Sequence, residues 1–313
     1  MSDGYMISTT TMPPSLAKGR AALVGAVMVF FSFAALAPFA TIQLLRLDSF
    51  VPAVEAIIFV TDLSTAILLF NQFSLIGSRA ILLLASGYLF SALIVIPHVL
   101  TFPGAFAPRG LLGAGLQSAP WLYIFWHFGF AAALIGYACL KDDDVGDKAN
   151  PSSSLLAICS STMIVIGLVC ALTWLITADE RIMPSLFLDD LALAPLARGV
   201  AGVNLMMSVT ALVLLWPRRS SSLDSWLAVA ECALIAELAT VSFILTSRYS
   251  VGFYLGRTFS VVVSTTVLIM LVSQMTNCWN SALDNRLGKT RDADAESKFR
   301  KVIDPALRQA IFD

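Results

Sequence analysis

Charge is scarce in this chain. Of its 313 residues only 13% are Asp, Glu, Lys or Arg, and the formal net charge is -1, where an ordinary soluble domain carries roughly 25% charged residues. A balance so close to zero gives no basic field for nucleic acid. Histidine is rarer still, with His98 and His127 the two examples. Five cysteines, Cys139, Cys159, Cys170, Cys232 and Cys278, show no C-x-x-C spacing and read as small packing residues, not as disulfides or metal ligands. The chain also lacks a phosphate-binding glycine loop, a zinc-protease helix and a nucleophile with a base at recognisable spacing. The expectation is a protein that is not an enzyme.

What the chain has is hydrocarbon. Hydrophobic residues make up 58% of it and the mean hydropathy is +0.81. A membrane-spanning helix needs about 20 mainly apolar residues, because lipid offers backbone groups no partners. Segments near 21–45, 50–76, 80–101, 119–140, 154–176, 199–217, 223–247 and 251–275 meet that length. The predicted fold class is therefore all-α, a multi-pass, polytopic integral membrane protein with about eight transmembrane helices. The first span follows Lys18 and Arg20 as a signal peptide would, but it exceeds the usual apolar region of roughly 7–15 residues and reads as a retained span.

Lys and Arg favour the cytoplasmic side of short loops. With the N-terminus inside, the inner segments hold Lys18, Arg20, Arg79, Lys141, Lys148, Arg218, Arg219 and the tail residues from Arg286 to Arg308; the outer loops hold Arg46, Arg109, Arg181, Arg198 and Arg248. Both termini are expected in the cytoplasm. Trp216, Trp226 and Trp279 then fall at inner ends, and Trp174 and Tyr249 at outer ends, as interfacial anchors. The predicted organisation is a cytoplasmic segment 1–20, an eight-helix membrane domain 21–276 and a cytoplasmic linker or tail 277–313. The loop at 177–199 alternates acidic residues with Ile182, Met183, Leu186, Phe187 and Leu188, which fits a surface amphipathic piece and equally a connector. The tail reads as one helix to Ile303 and a second opened by Asp304 as N-cap and Pro305 in the first turn.

Ionisable side chains inside a span cost a few kcal/mol on insertion scales, so each needs a partner, a wet cavity or a purpose. At about 1.5 Å rise per residue, Glu55 lies roughly 8 Å below the outer boundary of the second span, and Asp62 two turns deeper on the same face. His98 falls near the outer end of the third span, and His127 roughly 12 Å below the outer end of the fourth. Tyr123 is one turn from His127, and Trp121 and Trp126 flank it. Glu237 and Arg257 reach the outer half from the last two spans, where an ion pair is predicted. Together these residues describe a pocket open to the periplasmic side that takes an unidentified small ligand. The plainer reading has Pro97, Pro103 and Gly104 ending a helix while His98 satisfies a freed carbonyl. A narrower one makes His98 and His127 ligands of a metal ion or of haem b. Asp62 as a relay in a small-molecule or ion transporter is a third. Glu231 and Asn204 read as interhelical hydrogen-bonding residues.

The stretches VPAVEAIIFVTDLSTAILLFNQF (51–73) and LLLASGYLFSALIVIPHVLTFPGAFAPRGLLGAGLQSAPWLYIFWHFGF (82–130) resemble the fourth of the bacterial membrane-associated sensor (MASE) domain families. The most specific words are H-x-L-T-F-P-G and W-L-Y-x-F-W-H-x-G-F, which contain both histidines. The resemblance places Asp62, Gln72, Tyr88, Pro97, His98, Phe102, Pro103, Gly104, Trp121, Tyr123, Trp126 and His127 in the family blocks. It implies a sensory input domain, usually followed in the cytoplasm by a diguanylate cyclase, a histidine kinase or a similar output. Here the sequence ends soon after the last span, so either a separate partner carries the output or the output domain has been lost or trimmed. The expected function is sensing, with relay through the eighth span and tail, Arg257 and Glu237 forming the switchable pair, and a homodimer left open.

Overall fold

A computed structural model describes residues 16–142, 151–178, 183–186, 194–217, 219, 221–244 and 248–312. Among them the chain forms eight helices: α1 (Leu16–Leu36), α2 (Phe50–Ile76), α3 (Arg79–Thr101), α4 (Ser118–Leu140), α5 (Pro151–Ala178), α6 (Pro195–Leu215), α7 (Ser222–Ala239) and α8 (Val251–Phe312). Each includes a stretch long and apolar enough to cross a membrane, so the all-α, eight-span expectation holds. Lys148, Arg181, Ile182, Phe187, Leu188 and Arg218 of the topology and loop readings lie outside the described residues.

Three of the differences from the expected boundaries are more than a shift of a few residues. The first helix stops at Leu36 and passes into a 3₁₀ turn, Ala37–Phe39, since Pro38 has no N–H to donate and disfavours helix in the residue before it. The seventh gives way after Ala239 to a π-turn, Thr240–Ile244. The tail is not two helices: α8 stays helical through Asp304 and Pro305, because a proline in mid-helix removes one hydrogen bond, here to Lys301, without obliging the chain to stop.

The described residues up to Leu271 form one compact unit, and from Val272 the backbone belongs to a second, in which α8 remains helical through Phe312. Within the first, α2, α3 and α4 pack in sequence, α4 lies against α6, α6 against α7, and α7 against α1. The most buried spans are α3 and α7, while α1 and α5 expose most of their surface, including Leu155, Leu156, Met163 and Ile164, the arrangement expected where the surroundings are as apolar as the side chains. Of the cysteines, Cys232 is buried among Ala22, Ala26 and Val229, whereas Cys139, Cys159 and Cys170 are free and exposed.

The α3–α4 contact is made through glycine. A Cβ on Gly87 would strike Ala133, one on Gly129 would strike Phe90, and one on Gly136 would strike Leu83. Small residues let two helices approach closely enough for dispersion to hold them in lipid. At one end of α4, Asp224 of α7 accepts from the Tyr137 hydroxyl at 2.8 Å and pairs with Lys141 at 2.7 Å; Ser221 and Asp224 also form a capping box that starts α7.

At the opposite end the segment after α1 pairs with the start of α8. Leu44 N–H donates to Tyr249 O, Val251 N–H to Ile42 O and Gly252 N–H to Ala40 O, each at 2.9 Å. The loop after α3 folds back so that Leu111 N–H reaches Leu100 O at 2.7 Å. Gly110 turns this loop at φ +85, where a Cβ would meet the Thr101 backbone, so the position requires glycine.

Candidate functional site

Five helices meet around a cavity of about 120 Å³ at this second end of the bundle. α3 contributes His98, α4 contributes Tyr123, α7 contributes Glu237, and α8 contributes Arg257; α6 adds Arg198, and Arg248 precedes α8. The rest of the lining is mainly apolar, with Phe102, Ile124, Ala201, Val241 and Phe253 among it.

Glu237 is the hub. Its Oε1 accepts from the Tyr123 hydroxyl at 3.0 Å and the Ser260 hydroxyl at 2.6 Å, and lies 3.2 Å from His127 Nε2. His127 Nδ1 lies 2.8 Å from the Tyr123 carbonyl oxygen. A carbonyl can only accept, so Nδ1 carries a proton there. Glu237 is buried, as is His127, and the second oxygen of Glu237 has no partner.

His98 belongs to a different carboxylate. Its Nδ1 is 2.7 Å from Glu55 Oε1, with both side chains 1% exposed. That contact leaves Nε2 as the nitrogen through which His98 can serve the cavity. The two imidazoles are separated by aromatic rings: Tyr123 and Trp126 lie within 6.3 Å of the His98 ring, and within 4.7 Å of the His127 ring, centroid to centroid.

Asp62 sits deeper. Trp126 Nε1 donates to Ser91 Oγ at 2.6 Å, and Ser91 donates to Asp62 Oδ2 at 2.5 Å. A second cavity of about 20 Å³ is lined by Asp62, Ser91, Trp126, His127, Glu237, Ser260 and apolar neighbours, room for a single water by volume. Glu237 therefore forms part of the wall of both cavities.

The residues predicted from sequence divide accordingly. His98, Tyr123, Glu237 and Arg257 line the larger cavity, while Asp62, Trp126 and His127 line the smaller; Glu55 reaches the site through His98. Trp121 stands apart, its indole donating to Pro184 O at 3.0 Å, where with Gln117 accepting from Leu186 N–H it ties α4 to the 183–186 segment. The predicted Arg257–Glu237 ion pair is not formed. One oxygen of Glu237 is engaged by Tyr123, His127 and Ser260 while the other is unpartnered, and the Arg257 guanidinium instead lies 4.9 Å over the Tyr123 ring with Nη1 buried and unpartnered. Asn204 does bond between helices, to Ile124 O at 3.2 Å; Glu231, expected to do so, faces the Ser208 hydroxyl of α6, with neither oxygen in a close hydrogen bond.

Sequence reasoning missed Ser91 and Ser260, since serines in apolar helices are common and carry no signal of direction. It counted Arg198 and Arg248 only for topology. For haem or metal ligation the fit is poor. Both nitrogens of His127 are engaged, so an ion could take it only by displacing Glu237 or the carbonyl. Among the described residues no group of three His, Cys, Asp or Glu side chains is placed to hold a metal.

Eight apolar helices enclosing buried polar groups define a multi-pass integral membrane protein. A family model described as a membrane-associated sensor, integral membrane domain (MASE4) matches residues 45–277, and the chain belongs to that family. No curated protein and no solved structure matches it.

Proposed function

We propose that this membrane sensor is a non-enzymatic input domain that binds a small molecule in the cavity at His98, Tyr123, Glu237 and Arg257, entered from the periplasmic side. The observation that carries the reading is a cavity of about 120 Å³ whose buried polar lining includes Arg257 with an unpartnered nitrogen, an expensive feature in a membrane helix without a purpose. Glu55 positions His98, and Trp121 positions the start of α4. Occupancy favours one packing of α7 and α8 over another, to the extent of the ligand's differential affinity for the two. α8 then carries the change toward a cytoplasmic partner of the diguanylate cyclase or histidine kinase kind.

The test uses Ala201→Cys in a chain whose five cysteines are replaced by serine. A membrane-impermeant maleimide should label it in intact spheroplasts, and labelling should change trypsin cleavage of the tail between Arg286 and Arg308 in inverted vesicles made from them. Labelling confined to the inverted vesicles overturns the outward-facing cavity. Unchanged cleavage overturns the relay.

A further inference from the structure

Three guanidiniums, from Arg198, Arg248 and Arg257, line the cavity against a single carboxylate, Glu237. One oxygen of that carboxylate takes Tyr123, Ser260 and His127 together, and the other is buried without a partner. Arg257 is committed to nothing of opposite charge. It is 7% exposed, stacks over Tyr123 and Phe253, and keeps Nη1 buried without an acceptor. The two rings fix the plane of the guanidinium while leaving its N–H groups for an oxygen acceptor, the geometry for which arginine is suited. The N-terminal ends of α4, α6 and α8 also lie at this cavity, and their positive ends favour an anion.

Apart from His98, Tyr123 and Ser242, the remaining lining is apolar, which suits a ligand that carries a hydrocarbon body beside its charge. Size sets a second limit. An engineered apolar cavity of about 150 Å³ accepts benzene, and this one measures about 120 Å³.

Resting on the ligand-binding reading above, we infer that the cavity takes a small organic carboxylic acid, its carboxylate on the Arg257 guanidinium and its apolar body, close to a benzene ring in size, against Phe102, Ile124, Val241 and Phe253.

The experiment measures binding of radiolabelled benzoate to the full chain in nanodiscs, with unlabelled benzamide and benzylamine as neutral and cationic competitors of the same size. Saturable benzoate binding is expected, with benzamide and benzylamine competing at least tenfold less well. Arg257→Gln should weaken benzoate binding about tenfold or more, the loss of one charge-assisted hydrogen bond. Arg198→Gln, at an exposed position near the mouth, should weaken it about two- to threefold and slow association, and it serves if Arg257→Gln does not fold. Ala201→Phe, which fills the cavity, should abolish binding. Benzamide or benzylamine competing as well as benzoate, with Arg257→Gln and Arg198→Gln neutral, overturns the carboxylate assignment. If Ala201→Phe still removes that binding, the cavity reading survives it. No saturable benzoate binding also overturns this inference, while the labelling test with Ala201→Cys decides the cavity reading separately.

Discussion

Glu237 Oε1 and His127 Nε2 face each other across 3.2 Å. Nδ1 must donate to the Tyr123 carbonyl, so the contact needs a hydrogen on Nε2 or on the carboxyl. Tyr123 and Ser260 both give their protons to the same oxygen, an arrangement that favours the carboxylate as the acceptor of all three.

Removing this acceptor takes the partner from three buried donors at once, of which Ser260 keeps a 3.4 Å contact to Gly256 O. Glu237→Ala should destabilise the purified protein by about 3 kcal/mol or more, whereas Glu237→Gln, which retains an oxygen, should cost less. Tyr123→Phe and Ser260→Ala should cost about 1 kcal/mol each. Unfolding midpoints in a titration with denaturing detergent check the order, and equal losses for Glu237→Ala and Glu237→Gln would refute the hub.

Glu55 and His98 are a closed pair at 2.7 Å with both side chains buried. A double-mutant cycle with Glu55→Ala and His98→Ala should give a coupling of about 1–3 kcal/mol. A coupling near zero would mean that the two side chains do not meet in the membrane.

Glycine substitutions should have opposite signs on different helices. Gly129→Ala places a methyl group into Phe90 and should cost about 1–3 kcal/mol by overpacking. Gly167→Ala on α5 meets nothing within 4 Å and should be neutral or stabilising by up to about 1 kcal/mol. Thermal inactivation of the two variants beside the parent decides this, and a shared sign counts against the close α3–α4 contact.

Gly110→Ala combines a positive φ with a clash against the Thr101 backbone. The loop after α3 should lose about 1–3 kcal/mol, read as faster proteolysis between Phe102 and Gln117. Gly113 has a positive φ but open space around it, so Gly113→Ala should be milder.

The spans were legible because hydrocarbon thickness imposes a length that sequence displays directly, and the start and end of α2 agree with the expectation to the residue. Depth was legible in part: a fixed rise per residue put Glu55, His98, His127, Glu237 and Arg257 in the same half of their spans, and His98, Tyr123, Glu237 and Arg257 line one cavity while His127 lies in the wall of the smaller one. Partnership was not. Whether Glu237 would meet Arg257 or His127 depends on the rotation of α7 about its axis, and a helix apolar on most sides gives little periodicity from which to read it. Arg198 and Arg248 were hidden because a positive charge at a helix end has an adequate explanation in topology alone. The π-turn after α7 has no proline or glycine to announce it, and the continuation of α8 through Pro305 overrode a local stop signal.

The pairing of residues 40–44 with 249–252 gives α8 a fixed footing. Three backbone hydrogen bonds pin its first residues, and the Tyr254 hydroxyl adds a fourth tie to Leu45 O at 2.7 Å. A helix moored in that way cannot slide along its own axis like a piston. Arg257 lies less than one turn beyond Tyr254, so a ligand held by its guanidinium would pull close to the mooring, where tilt or rotation breaks fewer of these bonds than sliding.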